Sequence, residues 1–392
     1  MNALLLSEHY LPKIGGTVSY VENTAVTLSK KINEVYLLAP AVGELGKIVE
    51  EKHVSSPLVL LKLGVKSVGE LNFDAEERNI YCTYIKNSVF TLSQNYNINV
   101  IHILFGLFIA EILDTKKLKE KGIRTINTIH NIPPQECSNS WRGDSTLLYL
   151  KDTARKEIVG FMNRRRIQKN KFDVYIVPSL EVRENLTSYA ENSLIKVIGH
   201  GGAEVSVLPK EGSSGPIRLL TVGGFVPHKN QHLIAEIAHY LLNNGVEFKW
   251  DVVGPIRNKR YYKYFLNALN KRKLDKVVTV SHNIPEEKLY ELYQSADLYL
   301  QLSSEEGFCM TVLDAVSFRL PVIATPVGAI PEMMNMVDGI LIDLKDANQN
   351  KLIHHYIKIV DELKVDEKKY NLFINTYTWE KAVDRLIETY HG

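Results

Sequence analysis

The sequence predicts an α/β protein of two doubly wound domains, and three observations carry that prediction. Short apolar runs such as Leu4-Leu5-Leu6, Val100-Ile101-His102-Ile103-Leu104 and Val174-Tyr175-Ile176-Val177 read as buried strands. Longer stretches with apolar residues at helical spacing separate them, as parallel sheets require. The alternation lapses once, at Pro209-Lys-Glu-Gly-Ser-Ser-Gly215, where apolar residues vanish, and then restarts. The expected division is therefore 1–207, a linker over 208–216, a second domain over 217–375, and a helical segment over 376–392. Two such arrays are expected to face one another across a cleft.

In chain order, residues 3–7 are a strand, a loop follows through Gly15-Gly16, a helix lies near 18–31, and Val35 to Pro40 is the next strand. In a β-loop-α-β unit, ligands sit at the carboxyl ends of strands, where this loop lies. Gly15-Gly16 lets a backbone approach a ligand and Thr17 stands near the helix start, although on the residues alone a plain tight turn is preferred. Strand Leu58–Leu63, a helix near 75–95, strand Val100–Leu104, a helix near 107–120 and strand Thr125–His130 follow. His102 and His130 fall at or just past strand ends. His130 is the better placed, because Asn131-Ile-Pro-Pro must leave the sheet.

Residues 135–149, with Trp141, Arg142 and Asp144, show no clean period. In the basic helix after them, Ile158, Phe161, Met162 and Ile167 form the expected buried face. Its cations, including Arg164, Arg165 and Arg166, take two readings: attraction to anionic lipid head groups or a phosphorylated acceptor, or a solvated face. In the second domain, strands near 217–222, 250–254, 277–280 and 298–302 alternate with helices near 229–244, 258–271 and 286–296. The last helical segment, Thr378–Tyr390, has one apolar face and is expected to pack back toward the N-terminal domain.

With 392 residues the chain is long enough for two cores. Its formal charge of +2 gives no general attraction to nucleic acid. Cys82, Cys137 and Cys309 have no metal-ligand spacing and fit a reducing compartment. The N-terminus reads as a first strand and not as a signal peptide, and no run nears the roughly 20 apolar residues of a membrane span. A cytoplasmic protein is expected.

The stretch from Ser303 to Glu332 carries the chemistry. Glu305 and Glu306 precede a turn, Gly307-Phe308-Cys309, and a helix from about Thr311 to Ser317; Asp314 lies eight residues after Glu306. A turn feeding a helix N-terminus suits a phosphate, and flanking carboxylates suit sugar hydroxyls. The residues by themselves thus suggest a site for a sugar attached to a phosphate.

This run, E-G-F-C-M-T-V-L-D followed by L-P-V-I-A-T-P-V-G-A-I-P-E, resembles the E-x7-E signature of retaining GT-B glycosyltransferases of family four, the glycosyl transferases group 1 type. The resemblance extends over most of the chain, through Gly15-Gly16, Thr128-Ile129-His130, Val177-Pro-Ser179, His200-Gly201, Val222-Gly223 with Pro227 and Lys229, Val253-Gly-Pro255 and Tyr377-Thr-Trp-Glu380. It implies a GT-B fold of two Rossmann-like domains. It also implies a sugar moved from a nucleotide-sugar donor, UDP- or GDP-linked, to a hydroxyl acceptor with retention, and no cofactor or metal. The acceptor is expected to be a glycan or lipid-linked glycan in surface polysaccharide or glycolipid assembly, at the inner face of the membrane.

By the resemblance, His130, Lys229 and Glu306 are the catalytic residues. Glu306 grips sugar hydroxyls and Lys229 neutralises the diphosphate, while His130 lies near the reacting sugar. Gly15, Gly16, Thr17, Gly224, Arg257, Ile284, Gly307, Phe308, Cys309, Met310, Thr311, Val312 and Asp314 hold the donor, Asp314 through the ribose. Departures stand beside these matches. The family usually has arginine where this chain has Gly224, glutamate at Asp314 and glycine at Cys309, and its Asn-Gly-Val-Asp turn is here His200-Gly-Gly-Ala203. They open a second reading, a catalytically weak GT-B protein that binds sugar nucleotide or glycan and supports a partner transferase. His228 or Arg257 are the candidates to supply the missing cation.

Overall fold

The computed structural model describes residues 1–11, 15–66, 75–131, 145–190, 193–202, 215–346, 348–359 and 366–392. Trp141, Arg142, Asp144, Ala203 and most of the expected linker 208–216 lie outside the described residues. The chain groups into two compact units: Met1–Glu136, Glu157–Gly201 and Trp379–Gly392 form the first, Cys137–Lys156 and Gly202–Thr378 the second. The grouping gives 137–156 to the second unit and 379–392, the segment expected to pack back toward the N-terminal domain, to the first.

In the first unit the strands are β1 (Asn2–Ser7), β2 (Glu34–Val42), β3 (Ile48–Lys52), β4 (Val59–Val65), β5 (Val100–Phe105), β6 (Arg124–Thr128), β7 (Val174–Val177) and β8 (Ile195–Val197). They form one sheet in the order β3-β4-β2-β1-β5-β6-β7-β8, parallel except for β3 against β4. Leu4, Leu5 and Leu6 are fully buried, as expected of a strand covered on both faces. β3, Ile-Val-Glu-Glu-Lys, is absent from the sequence reading because a charged, mostly exposed edge strand carries no apolar run. His102 lies inside β5, not at its end, where its ring nitrogens meet Tyr390 Oη and Thr128 Oγ1, each at 2.7 Å.

The second unit holds β9 (Ile217–Val222), β10 (Phe248–Val253), β11 (Val278–Ser281), β12 (Leu298–Gln301), β13 (Val322–Ala324) and β14 (Ile340–Leu341). They form a parallel sheet in the order β11-β10-β9-β12-β13-β14. Strand order reverses between β9 and β12 here, and between β1 and β5 in the first unit. At such a switch point the loops leave in opposite directions and open a crevice.

Two helices differ from expectation. The stretch 107–120 is two helices, Leu107–Ile112 and Thr115–Glu120, because Leu113 is extended and Asp114 Oδ1 accepts the Lys117 amide at 3.0 Å as an N-cap. Helix Thr146–Lys169 buries Gly160, Asn163 and Ile167, whereas Ile158, Phe161 and Met162 are exposed. Arg166 is also turned in, bonding Glu111 at 3.0 Å and lying 4.3 Å over the Phe108 ring.

The final helix, Trp379–His391, packs on helix Gly16–Ser29. Lys31 bridges Asp384 at 2.6 Å, and Trp379 stacks on His200. A Cβ on Gly201 would lie 2.3 Å from the Trp379 nitrogen, so only glycine fits there. Gly201→Ala is expected to cost about 1–3 kcal/mol, since backbone would have to move. Gly202→Ala, whose nearest neighbour is the Ser317 hydroxyl at 3.1 Å, should cost less. Chemical denaturation of both variants measures the difference, and equal losses would contradict the packing argument.

Candidate functional site

In the second unit the loops after β9 and β12 are stitched together at the switch point. The Ser304 amide donates to His228 O at 2.8 Å, and Asn230 Nδ2 donates to Leu302 O at 2.9 Å. Gln231 Nε2 donates to Gly224 O at 2.9 Å, which fixes the first turn after β9. Gly254 crosses beneath, where a Cβ would stand 2.0 Å from Gly223 O. A left-handed Gly328 (φ 61°) comes equally close: a Cβ there would be 2.7 Å from the carbonyl oxygens of Glu306 and Gly307.

Within this frame Lys229 and Glu306 form a short, largely buried ion pair, Nζ to Oε1 at 2.5 Å. The same Oε1 accepts from Ser303 Oγ at 2.6 Å and Gln301 Nε2 at 3.0 Å. Gln301 is itself fixed by Tyr299 Oη, which donates to its Oε1 at 2.9 Å. Every hydrogen bond to Glu306 thus falls on one oxygen, and Oε2 takes none among the described residues. The carboxylate is held by one side and presented by the other, as an acceptor for hydroxyl groups needs.

Burial alone would raise the Glu306 carboxyl, but the Lys229 ammonium and the hydrogen bonds from Lys229 and Ser303 outweigh it and hold Glu306 below its ordinary 4.5. For Lys229, burial pulls down and Glu306 pulls up harder, so it stays above 10.5. Both groups are charged at neutral pH. Beside them burial, with the Lys229 charge second, pushes His228 down to about 4, so it is neutral. A second pair adjoins the first: Lys156 Nζ lies 2.8 Å from Glu305 Oε1.

Cys309 adopts a left-handed conformation (φ 73°) and is the N-cap of helix Met310–Ser317. Among the described residues no side chain caps that helix, and its first turn holds no acid, so its positive end suits an anion. Tyr293 Oη donates to Thr311 O at 3.2 Å. Phe308 and Val312 are buried in the core beneath, with Ile284 and Met310 packed at its margin. Gly224 needs no unusual φ. Its lack of a side chain is occupied by Arg257, whose Cγ would lie 3.1 Å from a Cβ at 224.

In the first unit, Gly15 (φ 145°) starts helix Gly16–Ser29, which carries Thr17 and also has no side-chain cap. His130 Nε2 lies 2.7 Å from Leu104 O. A carbonyl only accepts, so Nε2 bears the proton and Nδ1 keeps its lone pair. Burial holds His130 near 4, and its ring abuts Tyr20 edge-on at 4.6 Å. Glu8, unread in the sequence, follows β1 and accepts the Phe108 and Ile109 amides at 2.9 and 3.0 Å; burial raises it to about 7.

The structure therefore brings Lys229, Glu306, Gly307, Phe308, Cys309, Met310 and Thr311 together in one unit, with Gly224 and Arg257 in mutual contact. Ser303, Gln301, Gln231, Asn230, Lys156 and Gly328 are added to it. Of these, Ser303 and Gly328 lie in the stretch the sequence singled out, Gly328 as the glycine of the closing Val-Gly-Ala-Ile-Pro-Glu element, and Lys156 lies in the basic helix. Among the described residues no group of three or more His, Cys, Asp or Glu side chains is placed to hold a metal ion.

Burial, with Glu286 second, pushes the Asp314 carboxyl up to about 7. Its folded value lies above the ordinary 3.8, so the native state holds the proton more tightly and stability falls as pH rises between these values. Asp314→Asn removes this penalty. Its melting temperature should exceed wild type by about 2 °C or more near pH 8, and the gain should vanish near pH 4. An equal gain at both pH values would contradict the assignment.

Residues 208–362 match the family described as Glycosyl transferases group 1. Over 255 residues the chain is 21% identical to the phosphatidylinositol N-acetylglucosaminyltransferase GPI3 subunit of Saccharomyces cerevisiae, a match covering 59% of this chain and 55% of that protein. The chain thus spans little more than half the length of that curated relative. A sucrose-phosphate synthase from Thermosynechococcus elongatus has a similar structure, with a TM-score of 0.78 at 16% identity over 100% of this chain and 98% of its own. HepE of Anabaena, solved in complex with UDP and glucose, gives 0.71 at 14% identity over 99% of both chains. At these identities the likeness is one of fold. The chain carries the GT-B fold, and its segment 208–362 matches the model of the glycosyl transferases group 1 family.

Proposed function

We propose that this protein is a retaining, metal-independent glycosyltransferase that moves a hexosyl-type sugar from a UDP- or GDP-linked donor to a hydroxyl acceptor. The acceptor is a glycan or lipid-linked glycan of surface polysaccharide or glycolipid assembly. The work is done at the cytoplasmic face of a membrane, with helix Thr146–Lys169 contributing to docking. The observation that carries the reading is the Lys229–Glu306 pair beside the uncapped start of helix Met310–Ser317. The UDP complex of HepE, a protein of the same fold, supports a nucleotide-linked donor.

On this reading Glu306 Oε2 takes the donor sugar's hydroxyls, while Oε1 stays on Ser303 and Gln301. Among the described residues the Lys229 ammonium makes one hydrogen bond, and it turns its two further N–H groups to the diphosphate. Negative charge grows on the leaving diphosphate as the glycosidic bond breaks. A fixed ammonium and helix amides in a water-poor site stabilise that charge more than they stabilise the ground state. The acceptor attacks from the same face, and the departing phosphate oxygen takes its proton. His130, neutral and with Nδ1 unprotonated, accepts from a sugar hydroxyl. Arg257, packed where a side chain at 224 would stand, supplies the second cation.

The binding-only reading rests on Gly224 and on Asp314, which is shorter than glutamate and half-protonated near neutrality. Turnover by the wild-type protein excludes it. In a screen of nucleotide sugars one donor should stabilise the fold by about 2.7 kcal/mol at a hundred times its dissociation constant. The same donor should be hydrolysed or transferred. Lys229→Gln and Glu306→Gln should each lower that rate by about a hundredfold or more with the fold retained. Full activity in both variants would refute the site, and a donor that binds without turnover would favour the binding-only reading.

A further inference from the structure

The exposed face of helix Thr146–Lys169 has a composition unlike a solvated helix. Leu147, Leu150, Ile158, Phe161 and Met162 all lie on it, with Leu147 at 78% and Ile158 at 62% exposure. Their spacing of three, eight, three and one residues keeps them on one side of the cylinder, opposite Gly160, Asn163 and Ile167. The stripe runs about 27 Å from Leu147 to Arg165. The charged residues on the same side are four cations, Lys151, Arg155, Arg165 and Lys169, and one acid, Glu157, which lies as near the centre of the stripe as Arg155 does. Arg165 lies 4.8 Å over the Phe161 ring, and Lys169 also touches Glu111 at 3.4 Å. The helix's other acid, Asp152, is turned away and bridged to Arg260 at 2.5 Å.

A row of large apolar side chains left in water is costly, and the cations on the same side do nothing to relieve it. Both features are satisfied together at one kind of surface. The apolar side chains enter the acyl boundary while lysine and arginine stems snorkel to anionic head groups.

We propose that this stripe is a membrane-docking face whose partner is an anionic lipid bilayer, entered by Leu147, Leu150, Ile158, Phe161 and Met162. Arg164 and Arg166 take no part. Arg164 stacks on Tyr189 and Arg166 is held by Glu111, so Arg165 is the outward member of that triplet. The inference deepens the membrane-face reading above and rests on it only for the location of the enzyme. No donor or acceptor enters its test, so a failure here leaves the transferase reading standing.

The test is co-sedimentation of the full chain with vesicles of phosphatidylcholine, with and without phosphatidylglycerol. Binding should require phosphatidylglycerol and weaken with salt. Ile158→Ser with Phe161→Ser should weaken it by about tenfold or more, through lost apolar burial. Arg155→Gln with Arg165→Gln should weaken it comparably and flatten the salt dependence. All four positions are exposed, and an unchanged circular-dichroism melt shows that each variant folds. Equal binding to neutral vesicles, or serine variants that bind anionic vesicles as wild type does, would overturn the proposal. So would self-association of the wild type that is lost in the serine variants while vesicles are ignored, which would give the face to a second copy of this chain.

Discussion

A lysine and a glutamate held 2.5 Å apart in a largely buried position are stable only as a pair. Removing two charges from water costs several kcal/mol per ion, and mutual attraction offsets it only when the remaining lone pairs are also satisfied. The structure meets that condition on one oxygen of Glu306, through Ser303 and Gln301, and leaves the second oxygen open. The arrangement is therefore held together by a contact that a ligand can share. On the proposed reading a diphosphate would share the Lys229 ammonium with Glu306, and sugar hydroxyls would take the oxygen that Lys229 does not touch. Both ions then stay paired throughout, and neither is left alone in a site of low polarity.

The fold supplies the rigidity this sharing needs. Parallel strands deliver the loops after β9 and β12 to the same end of the sheet, at the point where strand order reverses. Gly254, after β10, and Gly328, after β13, bring their own loops against these two backbone to backbone, at separations that any side chain would forbid. Cys309 keeps a left-handed turn that glycine would adopt without strain, and this turn starts helix Met310–Ser317 close to the ion pair. In the first unit, Gly201 does for the final helix what Gly254 does here: it admits the Trp379 backbone to a slot with no room for a methyl group.

Much of the fold was legible because strands buried on both faces read as unbroken apolar runs, and helices between them keep their period. Where burial is partial that signal fails. β3 is a charged edge strand, and Asp114 ends one helix and caps another within an otherwise periodic stretch. Helix Thr146–Lys169 misled for the opposite reason. Its apolar residues are periodic, yet the face it buries is made of Gly160, Asn163 and Ile167. At the site, the residue pattern singled out Glu306 and the turn before Thr311, the resemblance singled out Lys229, and the structure brings them together. The Gln301–Ser303 support, the Lys156–Glu305 pair and the contact of Arg257 with Gly224 exist only in three dimensions, and no local pattern announces them.

The central claim is that Lys229 and Glu306 act as one unit, each useful because the other is there. A double-mutant cycle on donor turnover tests it most directly, with Lys229→Met and Glu306→Gln alone and combined. Acting as a unit, the double variant should be about as slow as the slower single variant, leaving a coupling energy about as large as the smaller single defect. Losses that multiply, so that the double variant shows the product of the two separate defects, would mean that the residues work independently and would contradict the account.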